Sequence, residues 1–382
     1  MKLALVTHNV IRGDGQGRVN YRLALHALTR GHEVLLLADQ VEPELLERGA
    51  RWLRIHPRVQ KPHLLKVAEF TQRASALVRR VRGQVDIVHA NGYVLDEPHH
   101  LNTSHFVHAA WLRSSVRASE VTGRIQSTYQ WLYTAANARW EQQAYRQARL
   151  VAAVSEPVRA DLLATGLSPE HVVTVPNGVD LEEFRPGREP RATWGLPEDR
   201  PLALFVGGIR TGRKNLDTVL TALRQVPGLH LAVVGDVRGS PFPALAQRLG
   251  VADRVSFLGF RDDVARLLRA SDLFVFPSRY ETFALVVLEA LASGVPVVTA
   301  RSVGAASLVT PECGVVLPDP EDAAALARVM RSLVEDAPLC ERMGLRAREV
   351  AREHGWEQMA EAYFRLYEQL AGAPLGSRRD PL

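Results

Sequence analysis

Short, almost wholly apolar runs alternate along this chain with longer segments in which apolar residues return every third or fourth position. The first pattern predicts buried parallel strands and the second amphipathic helices. In the first half, Lys2–Thr7, Glu33–Ala38, Val85–Ala90, Leu101–Val107, Leu150–Ser155 and Val172–Val175 read as strands, with helices such as Arg18–Thr29 and Arg124–Ala148 between them. The second half repeats the alternation more cleanly. Strands are expected at Leu202–Val206, Leu229–Val234, Val255–Leu258, Leu273–Phe276 and Val295–Thr299, and helices at Asn215–Gln225, Asp262–Ala270 and Ala284–Ala292. A pattern made twice predicts an α/β protein of two doubly wound domains, each a parallel sheet with helices on both faces.

The rhythm breaks between Pro176-Asn177-Gly178-Val179-Asp180 and Arg185-Pro186-Gly187, and the chain stays polar through Arg188–Arg200. Clustered Pro, Asn and Gly mark a linker. We therefore divide the chain into residues 1–185, residues 186–355, and a C-terminal segment 356–382. The last segment carries an aromatic amphipathic helix, Trp356–Leu370, expected to pack back on the first domain, and a frayed tail at Gly376–Asp380. Two such domains are expected to face a central cleft at the carboxyl ends of their strands, where open α/β sheets bind ligands.

Composition narrows the class. The 382 residues are 46% apolar and 23% charged, ordinary globular usage. No run approaches the ~18 apolar residues of a membrane span. Met1-Lys2 leads directly into a strand rather than a signal-peptide core, which suits a cytoplasmic protein. With two cysteines, Cys313 and Cys340, neither a disulfide framework nor a zinc site is expected. The net charge of +5 comes from scattered arginines without interleaved aromatics, so no nucleic-acid module is read. Arg58–Arg82 is a basic amphipathic stretch. Its favoured reading is a helix with one core face; the alternative is peripheral contact with an anionic membrane at the inner face.

The most informative chemistry lies in Tyr280-Glu281-Thr282-Phe283-Ala284-Leu285-Val286-Val287-Leu288-Glu289-Ala290. A helix apolar on nearly every side is buried, and a carboxylate inside it, Glu289, costs several kcal/mol, roughly, unless donors meet it. The hydroxyls of a ribose or a sugar are such donors. Glu281, eight positions earlier, is the second acid of the pair. The alternatives are that Glu289 pairs with an arginine and that Glu281 caps the helix. Ahead of these acids, strand Leu202–Val206 runs into Gly207-Gly208-Ile209-Arg210-Thr211-Gly212-Arg213-Lys214-Asn215. Its glycines, three cations and Asn215 as N-cap make an electropositive turn able to neutralise a diphosphate without a metal. After the first strand, Gly13-Asp14-Gly15-Gln16-Gly17-Arg18 opens a helix whose amides favour a phosphate. Gly15 and Gly17 share the spacing of a dinucleotide fingerprint, with Asp39 ending the next strand. Asn20 stands at the third glycine position, however, which argues against a nicotinamide or flavin site.

Val175-Pro176-Asn177-Gly178-Val179-Asp180 with Phe184-Arg185-Pro186, Val255-Ser256-Phe257-Leu258-Gly259, Ser271-Asp272-Leu273-Phe274-Val275-Phe276-Pro277-Ser278, and Glu281-Thr282-Phe283 with Glu289-Ala290-Leu291-Ala292-Ser293-Gly294 occur here in order. Together they resemble the GT4-type retaining glycosyltransferases. The likeness spans the chain and is strongest in the second half. It implies a GT-B architecture of two Rossmann-like domains, a nucleotide-diphosphate sugar as donor on the second domain, an acceptor of unspecified kind on the first, and no cofactor or metal. It implies that Glu289 bonds the ribose hydroxyls and Glu281 the transferred sugar. Thr282, Phe283 and Ala284 would open their amides toward sugar and phosphate, and Lys214 with Arg210 or Arg213 would hold the diphosphate. The family usually carries Arg where Gly208 stands and glycine where Ala284 stands. A histidine near the donor sugar is implied as well. His105 is the choice and His108 the alternative within His99-His100-Leu101-Asn102-Thr103-Ser104-His105-Phe106-Val107-His108. Metal ligation by that cluster is disfavoured because the histidines do not share a strand face and no cysteine or carboxylate flanks them.

The expected function is transfer of a sugar from a nucleotide diphosphate to a glycan, lipid-linked or small-molecule acceptor, with retention at the anomeric carbon. The alternatives are a sugar-nucleotide 2-epimerase of the same fold, a non-catalytic sugar-nucleotide-binding subunit, and a dehydrogenase.

Overall fold

The computed structural model describes residues 1–13, 15–114, 116 and 124–372. Asp14 of the glycine loop and the tail Gly376–Asp380 lie outside the described residues. The chain divides into two compact units. One comprises Met1–Ser114, the stretch from helix Arg124–Gln147 to Asn177, and helix Trp356–Leu370; the other runs from Gly178 to Gly355.

The first unit contains β1 (Lys2–Val6), β2 (Asn9–Val10), β3 (Glu33–Ala38), β4 (Gln40–Val41), β5 (Arg51–Arg54), β6 (Ile87–Asn91), β7 (His99–Ser104), β8 (Ala148–Ala153) and β9 (Val172–Thr174). Seven of these form one sheet in the order β5-β3-β1-β6-β7-β8-β9, and β2 pairs separately with β4. Every pairing is parallel. Strand β5 was not read from the sequence because its pattern, Arg-Trp-Leu-Arg, is that of an edge exposed at both ends. Strand β7 begins at His99 and ends at Ser104, so His105 follows the strand rather than lying within it.

Helix His63–Val81 occupies most of the basic amphipathic stretch. Its Phe70, Ala74 and Val78 are buried in one cluster with Ala4, Val6, Leu37, Val88 and Ala90. The apolar face therefore belongs to the core, and Leu65 alone of its large apolar residues is strongly exposed. No helix among the described residues is long and apolar enough to cross a membrane.

The C-terminal helix follows the same logic. Trp356, Met359, Ala360, Tyr363, Phe364 and Tyr367 recur at helical spacing and are all buried. Their polar tips need partners in the core. The Tyr367 hydroxyl lies 2.8 Å from Nδ1 of His89, whose Nε2 lies 2.8 Å from Thr103 Oγ1, and Thr103 in turn donates to the Tyr363 hydroxyl at 3.1 Å.

The second unit holds β10 (Leu202–Val206), β11 (His230–Val234), β12 (Val255–Gly259), β13 (Leu273–Phe276), β14 (Val297–Ala300) and β15 (Gly314–Leu317). They form one parallel sheet in the order β12-β11-β10-β13-β14-β15. Both sheets thus step outward from their first strand and then restart on its other side, the Rossmann order. Central β10, β11 and β13 are buried at every position, which is why they read as continuous apolar runs. Segment 181–184 belongs to this unit, where the Arg348 guanidinium donates to the carbonyls of Leu181, Phe184 and Ala292 at 2.8–3.0 Å.

Burial holds the His89 ring pKa down at about 3, with His105 adding to the effect, and burial holds His99 at about 4. Both rings are neutral in the folded state. As pH falls through the unfolded value of ~6.5 the unfolded chain takes up protons that the folded chain refuses. Their contribution is therefore complete above that pH and lost between it and about 4 for His99 or about 3 for His89, each ring contributing at most ~1.4 kcal/mol per pH unit. The melting temperature of the first unit should fall from pH 7 to pH 5, and His89→Gln should flatten that slope. A melting temperature independent of pH across that window would contradict the assignment.

Candidate functional site

In an open parallel sheet the strands on either side of the restart point diverge at their carboxyl ends, leaving a crevice lined by the loops that follow them. In the second unit those strands are β10 and β13, paired through Ala203↔Leu273 and Leu204↔Phe274. The loop after β10 is the cationic turn; the loop after β13 leads to Glu281.

These two loops meet. Lys214 Nζ and Glu281 Oε2 form a direct ion pair, and both side chains are largely buried, at 14% and 16% exposure. The Lys214 ammonium also stands over the Phe276 ring, 5.3 Å from its centroid. A half-desolvated lysine is thereby held by a carboxylate on one side and an aromatic face on the other. Gly207 leaves room for this arrangement, since a Cβ there would lie 3.3 Å from Phe276 and 3.4 Å from Lys214 Cγ. Gly235 is tighter still, because a Cβ would fall 2.3 Å from the Gly207 carbonyl oxygen.

The backbone of Glu281 is fixed independently of its side chain. Its amide donates to Ser302 O at 3.2 Å and its carbonyl accepts from Gly304 at 2.9 Å, while Phe283 O accepts from Ala305 at 2.7 Å. Residues 281–283 thus lie as a short strip against 302–305, bridged at Glu281↔Val303 and bent at Thr282. The strip ends at Ala284, the N-cap of helix Leu285–Ala292, where φ is +75° and no side chain caps the helix. Glu281 therefore does not cap the helix, as one alternative supposed; its partner is Lys214. Phe283 and Ala284 are buried. Glu289 stands in the helix at 5% exposure among Val287, Leu288, Ala290 and Leu291.

The cations differ in their commitments. Arg210 pairs with Asp236 and its Nε donates to Arg238 O at 3.1 Å, with over half of its side chain exposed. Arg213 offers its carbonyl to the Arg279 amide at 2.9 Å and to Ser278 Oγ at 3.0 Å. A Cβ at Gly208 would meet nothing within 4 Å, so a side chain fits where the family usually carries Arg. Asn215 departs from expectation. It precedes helix Leu216–Leu223 as N-cap residue, but with φ +65° and no side-chain cap bond. Its Nδ2 instead donates to the carbonyls of Pro277 at 2.9 Å and Pro320 at 2.6 Å.

In the first unit Gly15 opens helix Gly15–Thr29 on the surface and Gly17 is buried. Asn20 donates to Thr7 Oγ1 at 3.1 Å and to Asn9 O at 3.2 Å, tying that helix to the loop after β1 where a dinucleotide fingerprint has glycine. Asp39, the ribose acid of that alternative, holds His56 Nδ1 at 2.7 Å. His105 and His108 are told apart. His108 has its ring 2.6 Å from buried Glu141 and its amide 3.0 Å from the same carboxylate. His105 Nε2 lies 3.2 Å from Asn91 Oδ1, at the neighbouring end of β6. Among the described residues no group of three or more His, Cys, Asp or Glu side chains could hold a metal ion. Arg279, which pairs with Asp217 and Glu321 beside this turn, has no signal in the sequence because its spacing from its partners is not periodic.

Two Rossmann-like units in tandem, each restarting beside its first strand, place this protein in the GT-B class. Sucrose-phosphate synthase from Thermosynechococcus elongatus shares the fold with a TM-score of 0.79 at 23% identity, over 97% of this chain and 99% of that one. The Anabaena HepE protein, solved in complex with UDP-glucose, does so with a TM-score of 0.70 at 19% identity, over 97% and 100%. Residues 13–183 match the model of Glycosyltransferase Family 4 and residues 188–350 that of Glycosyl transferases group 1, and the chain belongs to this GT4-type, group 1 glycosyltransferase family. A D-inositol 3-phosphate glycosyltransferase from Xylanimonas cellulosilytica is 35% identical over 236 residues, 58% of this chain; the match spans 56% of that relative's length.

A left-handed backbone costs an alanine about 1 kcal/mol relative to glycine. Ala284→Gly should therefore raise the melting temperature by about 2 °C, whereas Ala290→Gly, inside the same helix, should lower it. A fall with both variants in thermal denaturation would show that position 284 is not strained.

Proposed function

We propose that this chain transfers a sugar from a nucleotide-diphosphate sugar to an acceptor hydroxyl with retention at the anomeric carbon. The observation that carries this reading is the juxtaposition of Lys214 and Glu281 at the restart point of the second sheet. A cation for a diphosphate and an acid for sugar hydroxyls stand next to each other, as the two halves of a sugar–phosphate linkage require. The family supplies the reaction class, and UDP-glucose in the HepE complex is the kind of donor the arrangement suits.

On this reading the bond between the anomeric carbon and the diphosphate oxygen breaks first, leaving positive charge on the sugar and negative charge on the departing phosphate. The acceptor oxygen bonds to the same face of the anomeric carbon, and its proton passes to the departing phosphate oxygen. Lys214 leaves Glu281 for the phosphate, and stabilises charge where it develops rather than in the ground state. Glu281, released from the lysine, accepts hydrogen bonds from the sugar. Glu289 accepts from the ribose hydroxyls, which would reward its burial. Arg213, or Arg210 once drawn from Asp236, adds a planar fork for the diphosphate. In the first unit, Gly15, Gly17 and His105 are the proposed substrate-binding residues, and that unit takes the acceptor. No divalent metal is required where lysine and arginine neutralise the diphosphate.

A thermal-shift screen against UDP-, GDP-, ADP- and TDP-sugars tests the donor. At a hundred times Kd a true donor adds ~2.7 kcal/mol, a rise of about 5 °C or more. With that donor, Lys214→Ala should lower kcat on the order of a hundredfold, and Glu289→Gln should chiefly raise KM. Wild-type turnover in Lys214→Ala would overturn these roles. Formation of a 2-epimer from donor alone would move the protein to the isomerase class.

A further inference from the structure

The Arg279 guanidinium donates five hydrogen bonds near the candidate site, yet it has no part in the proposed transfer. It lies in the loop between β13 and Glu281, at 16% side-chain exposure. Nη1 and Nη2 donate to the two oxygens of Asp217 at 2.8 and 2.7 Å, a fork-to-fork pair. Nη2 donates to Glu321 Oε2 at 2.9 Å, and Nε donates to the same carboxylate. Nη1 also donates to the carbonyl of Gly212, and the Arg279 amide donates to the carbonyl of Arg213 at 2.9 Å. Gly212 and Arg213 are the two residues immediately before Lys214.

Asn215, immediately after Lys214, is held from the other direction by the carbonyls of Pro277 and Pro320. Three segments are therefore laced twice: the cationic turn, the loop after β13, and the loop before helix Ala323–Glu335. One lace runs from the turn outward through Asn215, and the other runs back into it through Arg279. Lys214 sits between the two anchor points, and its own side chain is flexible. The place of its ammonium is then set by the backbone on either side.

We propose that Arg279 is a positioning residue for the donor site. It touches no substrate; through the Gly212 carbonyl and the Asp217 and Glu321 carboxylates its guanidinium fixes where Lys214 stands beside Glu281. This inference rests on the donor reading above and goes one layer beneath it. Lysine at 279 keeps the charge but lacks the planar fork that engages Asp217, Glu321 and Gly212 together, so a conservative exchange does not restore the function.

The test is a double-mutant cycle on nucleotide binding, using UDP, GDP, ADP and TDP as probes and calorimetry on the full chain. The nucleotide that binds wild type should bind Arg279→Ala and Arg279→Lys on the order of tenfold more weakly, and Lys214→Ala at least as weakly. Arg279→Ala combined with Lys214→Ala should be no worse than Lys214→Ala alone, because groups that act through one another are not additive. A merely structural arginine would lower the melting temperature without that loss of additivity. Should Arg279→Ala fail to fold, Asp217→Asn removes the charged half of the pair and should weaken binding severalfold in wild type but not in Lys214→Ala. Wild-type affinity in the folded Arg279 or Asp217 variants, or effects that multiply with that of Lys214→Ala, would overturn the proposal and leave the donor reading standing. Failure of wild type to bind any of the four nucleotides would overturn both.

Discussion

The second unit depends on a constraint of parallel sheets: strands that run the same way must end on the same side, so the loops following them gather there whatever their distance in sequence. Strands β10 and β13 are neighbours in this sheet although they are far apart along the chain. Their trailing loops deliver Lys214 and Glu281, 67 positions apart, into direct contact. Taking an ion pair out of water is costly unless its charges are met closely. Here the carboxylate, the ammonium and the Phe276 ring meet one another. A pair held that way is stable without ligand and still has charges to offer one.

The surroundings resist collapse of that arrangement. Glycine at 207 and 235 lets strand ends approach to distances that side chains would forbid. Residues 281–283 are pinned to 302–305 by backbone bonds, so the Glu281 side chain can exchange partners without carrying its loop along. Ala284 takes a left-handed turn in which glycine would be more comfortable. Strained backbone of this kind persists only where neighbours over-determine it. The departure from the family at this position is thus compatible with the fold while leaving a methyl group next to the candidate site.

The first unit shows the same architecture used for different ends. Its histidines, which looked alike in sequence, divide by burial and partner. His89 is locked neutral between Tyr367 and Thr103, His99 between Glu97 and Asn102, and His108 is taken by Glu141. His105 follows the end of β7, with its Nε2 3.2 Å from Asn91 Oδ1. The basic helix His63–Val81 gives Phe70, Ala74 and Val78 to the core.

Much of this was legible in the chain itself. Short apolar runs bounded by turn residues suit strands buried on both faces and longer ones suit buried helices, so the twofold α/β alternation, the central strands and the all-apolar helix around Glu289 followed from residue order. The cations after β10 and the paired acids were visible as chemistry because charged residues at the ends of apolar runs stand out. What sequence could not supply was contact between segments. The edge strand β5, the engagement of Arg210 by Asp236, the ties of Asn215 to Pro277 and Pro320, and the clasp of Arg279 on Gly212, Asp217 and Glu321 all join distant residues. Local patterning is governed by the period of a helix or strand, and it is written in the order of residues. Pairing between loops is governed by sheet order and close packing, and only the tertiary structure decides it.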